Sequence, residues 1–203
     1  MPGGLQSMLR QRPTLLMVGT IEPRKGHAQT LAAFDLLWRR GVDVNLAIAG
    51  REGWQNLPNL VRRNIPEVVA ALRTHPERGS RLFWFEDASD EWIEALYASA
   101  TCLLMPSEGE GFGLPLIEAA RHGTPLLVRD LPVFREIAGP HAAYFQGFDP
   151  SDLATAITQW LADYGGGTHP RSDKLPWLTW TQSAAQLWEQ VQAATPVTAR
   201  TGR

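Results

Sequence analysis

Cysteine is almost absent from this chain of 203 residues, which contains Cys102 alone. A disulfide within the chain is therefore impossible, and a cysteine-based zinc cluster is excluded on ligand count. Cys102 lies in an apolar run, where we expect a small buried side chain rather than a nucleophile. The five histidines are scattered, and none pairs with another at the spacing of metal ligands. We therefore expect no metal site.

Long apolar runs and an excess of charge are also missing. No run is long enough to span a bilayer, and residues 1–12 lack the apolar core of a signal peptide. The net charge of −2 provides no broad attraction for nucleic acid or for an acidic membrane. These absences predict a cytoplasmic protein without a transmembrane segment that does not bind nucleic acid.

Short apolar runs alternate with helical patterns along the chain. The predicted strands are 14–19, 44–49, 81–85, 101–105, 125–128 and 142–145. Amphipathic helices are predicted between them, including 60–72 with a break or restart at Pro66, and a last one over 180–192. This alternation predicts an α/β fold, a Rossmann-like doubly wound parallel sheet of about six strands. We expect a flexible lead-in at 1–12, one domain at 13–194 and a disordered tail at 195–203.

A glycine-rich segment, residues 107–118, joins the fourth predicted strand to a helix. Its glycines allow positive φ and a close approach of the backbone to a ligand, and Pro115 suits a first helical turn. The free N–H groups of a helix start favour an anionic or oxygen-rich ligand. Two carboxylates, Glu110 and Glu118, flank this position. The segment therefore predicts a pocket for a ligand that is both phosphorylated and hydroxylated.

The loops after the first three predicted strands carry further charged candidates. Arg24 and Lys25 immediately precede a helix, where the helix dipole disfavours cations, so a phosphate held between them is one explanation. A solvated surface pair is the alternative. Because ligands bind at the carboxyl ends of the strands in such sheets, Arg51 and Glu86 belong to the same candidate site.

The two carboxylates have alternative roles as well. Glu118 is predicted in the first turn of its helix, where any glutamate is stabilised by the dipole without binding a ligand. A pair of carboxylates also suggests glycoside hydrolysis, but the sequence shows no buried environment that would raise the pKa of one of them. Accepting hydrogen bonds from sugar hydroxyls is the simpler role for Glu110.

Two motifs, residues 18–26 and 110–118, resemble those of the retaining GT-B glycosyltransferases of family 4 in order and in position. Similar segments at 48–54, 89–97, 123–125 and 178–184 extend the resemblance over 15–191. The resemblance implies one half of a GT-B fold, the C-terminal domain that binds a nucleotide-sugar donor. The N-terminal acceptor-binding domain is missing, so the isolated chain is expected to be inactive.

The resemblance also implies roles for the residues at matching positions. Glu110 would bind hydroxyls of the donor sugar, while Arg24 and Lys25 would neutralise the diphosphate leaving group, which makes these three the catalytic candidates. Glu118 would bind the ribose, and the loop with Glu86 would lie near the base. The other implied donor-binding residues are Arg51, Gly111, Phe112, Gly113 and Leu114. Cations and the helix dipole replace a metal in this family, and no cofactor is implied.

One departure from the family concerns the first-strand glycine, which is followed by Thr20 where many members carry arginine. Arg24 would supply that charge instead. The Glu-Pro-Arg-Lys variant resembles bacterial mannosyltransferases of surface-polysaccharide assembly, which makes GDP-mannose the first implied donor and the full-length protein a peripheral one at the inner membrane. Two alternatives stay open, a non-catalytic nucleotide-sugar-binding or interaction module and half of a sugar-nucleotide epimerase.

Overall fold

The computed structural model describes residues 3–58 and 60–194, which form an α/β domain around a six-stranded sheet. The strands are β1 (Thr14–Val18), β2 (Asn45–Ala49), β3 (Leu82–Phe85), β4 (Cys102–Met105), β5 (Leu126–Arg129) and β6 (Ala143–Phe145). They are ordered β3-β2-β1-β4-β5-β6, and every adjacent pair is parallel. The predicted doubly wound fold is confirmed, with all six predicted strands present.

Helices cover both faces of the sheet. They are α1 (Gly3–Arg10), α2 (His27–Arg39), α3 (Ile65–Thr74), α4 (Asp90–Ser99), α5 (Leu114–Arg121), α6 (Pro132–Ala138), α7 (Pro150–Gly165) and α8 (Trp180–Ala194). No helix in the described part of the chain is long and apolar enough to cross a membrane.

Side chains of each strand alternate between two hydrophobic clusters, one on each face of the sheet. In β1, Leu15 and Met17 belong to the first cluster, whereas Leu16 belongs to the second. The first cluster also contains apolar residues of α2, α3 and α7, and the second contains residues of α4, α5 and α6. Burial on both faces explains why the strands are continuous apolar runs in the sequence.

Two segments differ from their predicted structure. Residues Gly3–Arg10, expected as a flexible lead-in, form helix α1, which packs through buried Leu9 and a 3.1 Å hydrogen bond from Gln6 to Ser99. The predicted helix over 60–72 begins only at Ile65, because the φ of +53° at Arg63 is incompatible with a right-handed helix. Pro66 therefore lies in the first turn instead of breaking a longer helix. The tail expected at 195–203 lies outside the described residues.

The chain reverses its winding direction between β1 and β4, which are neighbours in the sheet. In doubly wound sheets this switch point leaves a crevice at the carboxyl ends of the two strands. Gly26, with φ of +74°, brings the loop after β1 against the loop after β4. A Cβ at this position would lie 2.5 Å from the carbonyl oxygen of Pro106, so only glycine permits this approach.

Candidate functional site

The carboxylate of Glu110 lies at this switch point and accepts hydrogen bonds from three side chains. Its Oε1 contacts Nζ of Lys25 at 2.5 Å and Oγ of Ser107 at 2.9 Å. Its Oε2 contacts Nη1 of Arg24 at 2.8 Å. The structure therefore brings the three catalytic candidates together, with Ser107 added, and we call these four residues the Glu110 cluster.

Burial and ion pairing have opposite effects on Glu110, whose side chain is only 7% exposed. Burial alone would raise the pKa of this carboxyl, but the hydrogen bonds from Lys25, Ser107 and Arg24 and the charge of Lys25 together lower it below its usual value. Glu110 is therefore a carboxylate at neutral pH. The cluster combines one hydrogen-bond-accepting carboxylate with two cations, a set that suits a ligand with both hydroxyls and phosphates.

The loop after β1 positions Arg24 by contacts at several points. A 3-10 turn, Pro23–Lys25, follows Glu22 and carries both cations. Thr20 donates to Oε1 of Glu22 at 2.6 Å, and Oε2 of Glu22 pairs with Nε of Arg24 at 3.2 Å. The amide of Glu108 donates to the carbonyl of Arg24 at 2.7 Å and joins the two loops. Thr20 thus does not supply the charge of an arginine. It contacts Glu22, which in turn orients Arg24.

Glu118 lies one turn farther into helix α5 than predicted. The helix begins at Leu114, and its first turn contains no acidic residue. Stabilisation by the helix dipole therefore does not explain why a glutamate lies at position 118. The carboxylate instead accepts a 2.8 Å hydrogen bond from the hydroxyl of Tyr97, a buried residue of α4. Burial, with the negative charge of Glu118, raises the pKa of Tyr97, which stays a hydrogen-bond donor. The sequence did not indicate a role for Tyr97 in the site, because its pattern is that of any aromatic residue in a core.

The predicted donor-binding residues 111–114 form a turn, residues 111–113, and the first residue of α5, Leu114. Phe112 and Leu114 are 52% and 43% exposed, which is unusual for large apolar side chains. A Cβ at Gly111 would have no other atom within 4 Å, so packing does not require glycine there. Gly113 has φ of +93° and precedes the helix. This turn leaves space beside the Glu110 cluster for a ligand.

Arg51 and Glu86 have ion-pair partners other than the residues of the Glu110 cluster. Nε of Arg51 pairs with Oδ1 of Asp87 at 2.9 Å, and the two side chains are 73% and 78% exposed. Oε2 of Glu86 accepts from Nη2 of Arg73 at 3.0 Å. These two candidates thus form ion pairs of their own, whereas Arg24, Lys25 and Glu110 contact one another.

A buried histidine next to the cluster was not selected from the sequence. His27, the first residue of α2, is buried, and its Nδ1 has no hydrogen-bond partner in the described part of the chain. Burial lowers the pKa of His27 to about 4, with a smaller contribution from the charge of Lys25 and against a hydrogen bond to the backbone of Glu22. His27 is therefore neutral at physiological pH. Its position after Lys25 and Gly26 was the only available signal.

Arg129, the last residue of β5, is another residue near the cluster that was not selected from the sequence. It is buried, and its guanidinium donates to the carbonyls of Pro106 and Ser107 at the end of β4. The sequence signal was a basic residue closing an apolar strand. Among the described residues, no group of three or more His, Cys, Asp and Glu side chains could hold a metal ion.

The chain also resembles known proteins. Residues 8–173 match the family model described as glycosyl transferases group 1. The chain is 49% identical over 199 residues to the serotype-specific mannosyltransferase WbdA of Escherichia coli, covering 97% of the chain and 23% of that protein. It is 31% identical to the O-antigen chain mannosyltransferase B of Escherichia coli, covering 73% of the chain and 36% of that protein.

Among solved structures, the chain superimposes on the sucrose-phosphate synthase of Thermosynechococcus elongatus with a TM-score of 0.69 and 25% identity. The match covers 92% of the chain and 47% of that structure. The chain thus spans about a quarter of the length of the first relative and about half of this structure.

Proposed function

Because this chain belongs to the glycosyl transferases group 1 family, we propose that it is the donor-binding domain of a retaining mannosyltransferase of bacterial surface-polysaccharide synthesis. The observation that carries the proposal is the Glu110 cluster, a buried carboxylate with two cations at the β1–β4 switch point. The names of the two Escherichia coli relatives support mannose as the transferred sugar.

The cations of the cluster would change partners when a nucleotide sugar binds. In the free domain, Arg24 and Lys25 both pair with Glu110. A diphosphate would compete for these two cations, as a bidentate partner of Arg24 and a point-charge partner of Lys25. Glu110 would then accept hydrogen bonds from sugar hydroxyls. During transfer, the cations would stabilise the negative charge that develops on the departing nucleoside diphosphate.

Other residues complete the proposed donor site. Glu118, oriented by Tyr97, would accept hydrogen bonds from the ribose hydroxyls. Residues 111–114 would present backbone amides to the sugar and phosphates, since the surroundings of Gly111 are open. Arg51 and Glu86 would lie nearer the base.

We propose GDP-mannose as the donor and no requirement for metal or cofactor. Transfer would require an N-terminal acceptor-binding domain, as the resemblance to GT-B enzymes implies. The isolated domain would bind the donor and transfer nothing. A cytoplasmic location, with peripheral attachment at the inner membrane in a longer protein, belongs to the same proposal.

Calorimetric titration of the chain with GDP-mannose, UDP-glucose and dTDP-rhamnose tests the proposal. We expect binding of GDP-mannose and weaker binding of the other two. Failure to bind any nucleotide would refute a donor domain. Sugar transfer to an acceptor by the isolated chain would refute the dependence on a second domain, while donor binding without transfer in a complete two-domain protein would identify a non-catalytic module.

The ribose assignment has a separate test. Glu118→Ala should weaken binding of GDP and guanosine alike, because both ligands carry the ribose. Tyr97→Phe is the matched variant, since it removes only the hydroxyl that orients Glu118 and should have a smaller effect in the same direction. Unchanged guanosine affinity in Glu118→Ala would remove Glu118 from the site.

A further inference from the structure

The guanidinium of Arg129 is held almost entirely by backbone carbonyls around the donor site. It is 3% exposed at the carboxyl end of β5, next to β4 in the sheet. Nε contacts the carbonyl of Ser107 at 3.0 Å and that of Pro106 at 3.2 Å, and Nη2 contacts the carbonyl of Pro106 at 2.9 Å. One side chain therefore holds the backbone from which the Glu110 loop begins.

The other contacts of Arg129 reach two more elements. Nη1 donates to the carbonyl of Gly147, in the loop after β6. Nη2 donates to Oε1 of Gln29 in α2 at 2.5 Å. The planar guanidinium thus connects the loops after β4 and β6 with the helix that follows the Arg24–Lys25 turn. A lysine, whose donors radiate from one point, cannot reproduce this set of contacts.

The charge of Arg129 has no direct counterion in the described part of the chain. The rings of Phe145 and Phe148 lie 5.0 Å and 4.4 Å from its guanidinium carbon, and the carboxylates of Glu108 and Asp152 interact only through space. A buried cation without an ion pair is costly unless hydrogen bonds satisfy it, and the oxygens around Arg129 supply those hydrogen bonds.

The neighbouring cations differ from Arg129 in this respect. Arg24 and Lys25 share Glu110, and Arg24 also contacts Glu22, so these four charges balance. Arg129 adds one positive charge that forms no ion pair in the described part of the chain, and the carboxylates of Glu108 and Asp152 offset it only through space. Inside a protein such a charge acts over several ångströms because water screens it poorly.

We propose that Arg129 is a positioning residue of the donor site, an inference that rests on the proposed function. It holds the Pro106–Ser107 backbone so that the Ser107 hydroxyl reaches Glu110, and its positive charge, which no ion pair engages in the described part of the chain, favours binding of a nucleoside diphosphate. Arg129 does not touch the ligand. It acts on ligand binding through the position of Ser107 and through the electric field of its positive charge.

The test compares ligands with and without phosphate in Arg129→Met and Arg129→Lys. Guanosine, GDP and GDP-mannose are titrated into the wild-type chain and each variant at low and at high salt. Arg129→Met should weaken GDP binding about tenfold while guanosine binding changes little. The GDP affinity of Arg129→Lys should fall between those of Arg129→Met and the wild type, because lysine keeps the positive charge but lacks the planar guanidinium and its several N–H donors. A merely structural residue would weaken guanosine and GDP equally, and that outcome would overturn the proposal.

Arg135→Met is the matched control. Arg135 lies six residues away in α6, is exposed and pairs with Asp130. It should bind GDP as the wild type does, and an equal loss in this variant would overturn the specific role of Arg129. If the wild-type chain binds no nucleotide, the donor-domain proposal itself fails, which is distinguishable from normal wild-type binding with no effect of Arg129.

A double-mutant cycle covers the case in which Arg129→Met does not fold. Arg129→Lys and Ser107→Ala are combined, and GDP-mannose affinity is measured for both single variants and for the double variant. If Arg129 acts through the Ser107 hydroxyl, the double variant should lose less than the two single losses combined. Full additivity would overturn the positioning role.

Discussion

Two groups of basic and acidic side chains lie at the same edge of the sheet, yet their surroundings differ. At the β1–β4 switch point, Glu110 is 7% exposed and bonds to both neighbouring cations. After β2 and β3, Arg51 pairs with Asp87, and both are more than 70% exposed. Similar residue types at equivalent strand ends thus form a buried cluster in one case and a solvated pair in the other.

The difference shows what the close approach of two loops achieves. Charges in contact at low exposure interact strongly, whereas exposed pairs contribute little because water screens them. The β1 and β4 loops can approach because Gly26 offers no side chain to Pro106. Substitutions can disrupt the approach of the loops, the Glu110 cluster, the buried histidine beside it or the exposed ion pair, with effects that should decrease in this order.

Gly26→Ala should have the largest effect, because it prevents the approach of the loops. The new Cβ would lie 2.5 Å from the Pro106 carbonyl oxygen, and the residue would keep a φ of +74°. We expect a loss of about 3 kcal/mol in the free energy of unfolding, measured by urea denaturation. Gly41→Ala is the control, since Gly41 has φ of +78° and open surroundings, and should lose about 1 kcal/mol. Equal losses would show that backbone strain alone matters.

Lys25→Met should break the cluster directly. It removes a charge-assisted hydrogen bond to Glu110 and a proposed partner of the diphosphate. We expect the dissociation constant for GDP-mannose to rise about 30-fold, roughly 2 kcal/mol. Lys174→Met, which alters the other lysine of the chain in an exposed 3-10 turn, should bind as the wild type does. Wild-type affinity in Lys25→Met would contradict the assignment of Lys25.

His27 should make the buried region sensitive to mild acid. Its folded pKa of about 4 is below the unfolded value of 6.5, so the unfolded state binds more protons between these values. Stability should therefore fall as the pH drops through this window, by up to about 2 kcal/mol between pH 7 and pH 5. Urea denaturation at both pH values measures this slope.

His27→Gln should remove that part of the slope, whatever its effect on stability at pH 7. His141→Gln, at a half-buried histidine after α6, should keep the wild-type slope. If His27→Gln leaves the slope unchanged, His27 is not the residue responsible.

Arg51→Gln should have the smallest effect and would sharpen the comparison. Its ion pair with Asp87 is exposed on both sides, so the free energy of unfolding should change by less than about 0.5 kcal/mol. Thermal denaturation at low and high salt measures this. A loss comparable to that of Gly26→Ala would mean that burial does not distinguish the two groups.

The strands and the catalytic candidates could be predicted because their signals are local. Doubly buried strands require apolar runs such as 14–19, and the glycines and prolines of 107–118 mark a turn before a helix. Alternation of strands and helices then fixes a parallel sheet, whose carboxyl edge gathers the loops that follow the strands. This reasoning was sufficient to select Arg24, Lys25 and Glu110.

The missed residues depend on contacts between distant segments. Ser107 matters because it reaches Glu110, and Tyr97 matters because α4 packs beside α5 at Glu118. Arg129 binds carbonyls about 20 residues away in the sequence. Contacts between distant segments leave no periodic pattern, so sequence reasoning treats these side chains as ordinary core or surface residues.

The sequence by itself determined the α/β alternation, the order of the loops and the chemical groups at the sheet edge, because local propensity and burial periodicity set them. Only the tertiary structure decided which of those groups meet. The switch point brings the β1 and β4 loops together, and the Gly26 contact closes the distance between them. Arg129 holds the end of β4, whereas Arg51 pairs with Asp87 and stays exposed to solvent. Electrostatic strength depends on distance and burial, which are properties of the folded chain.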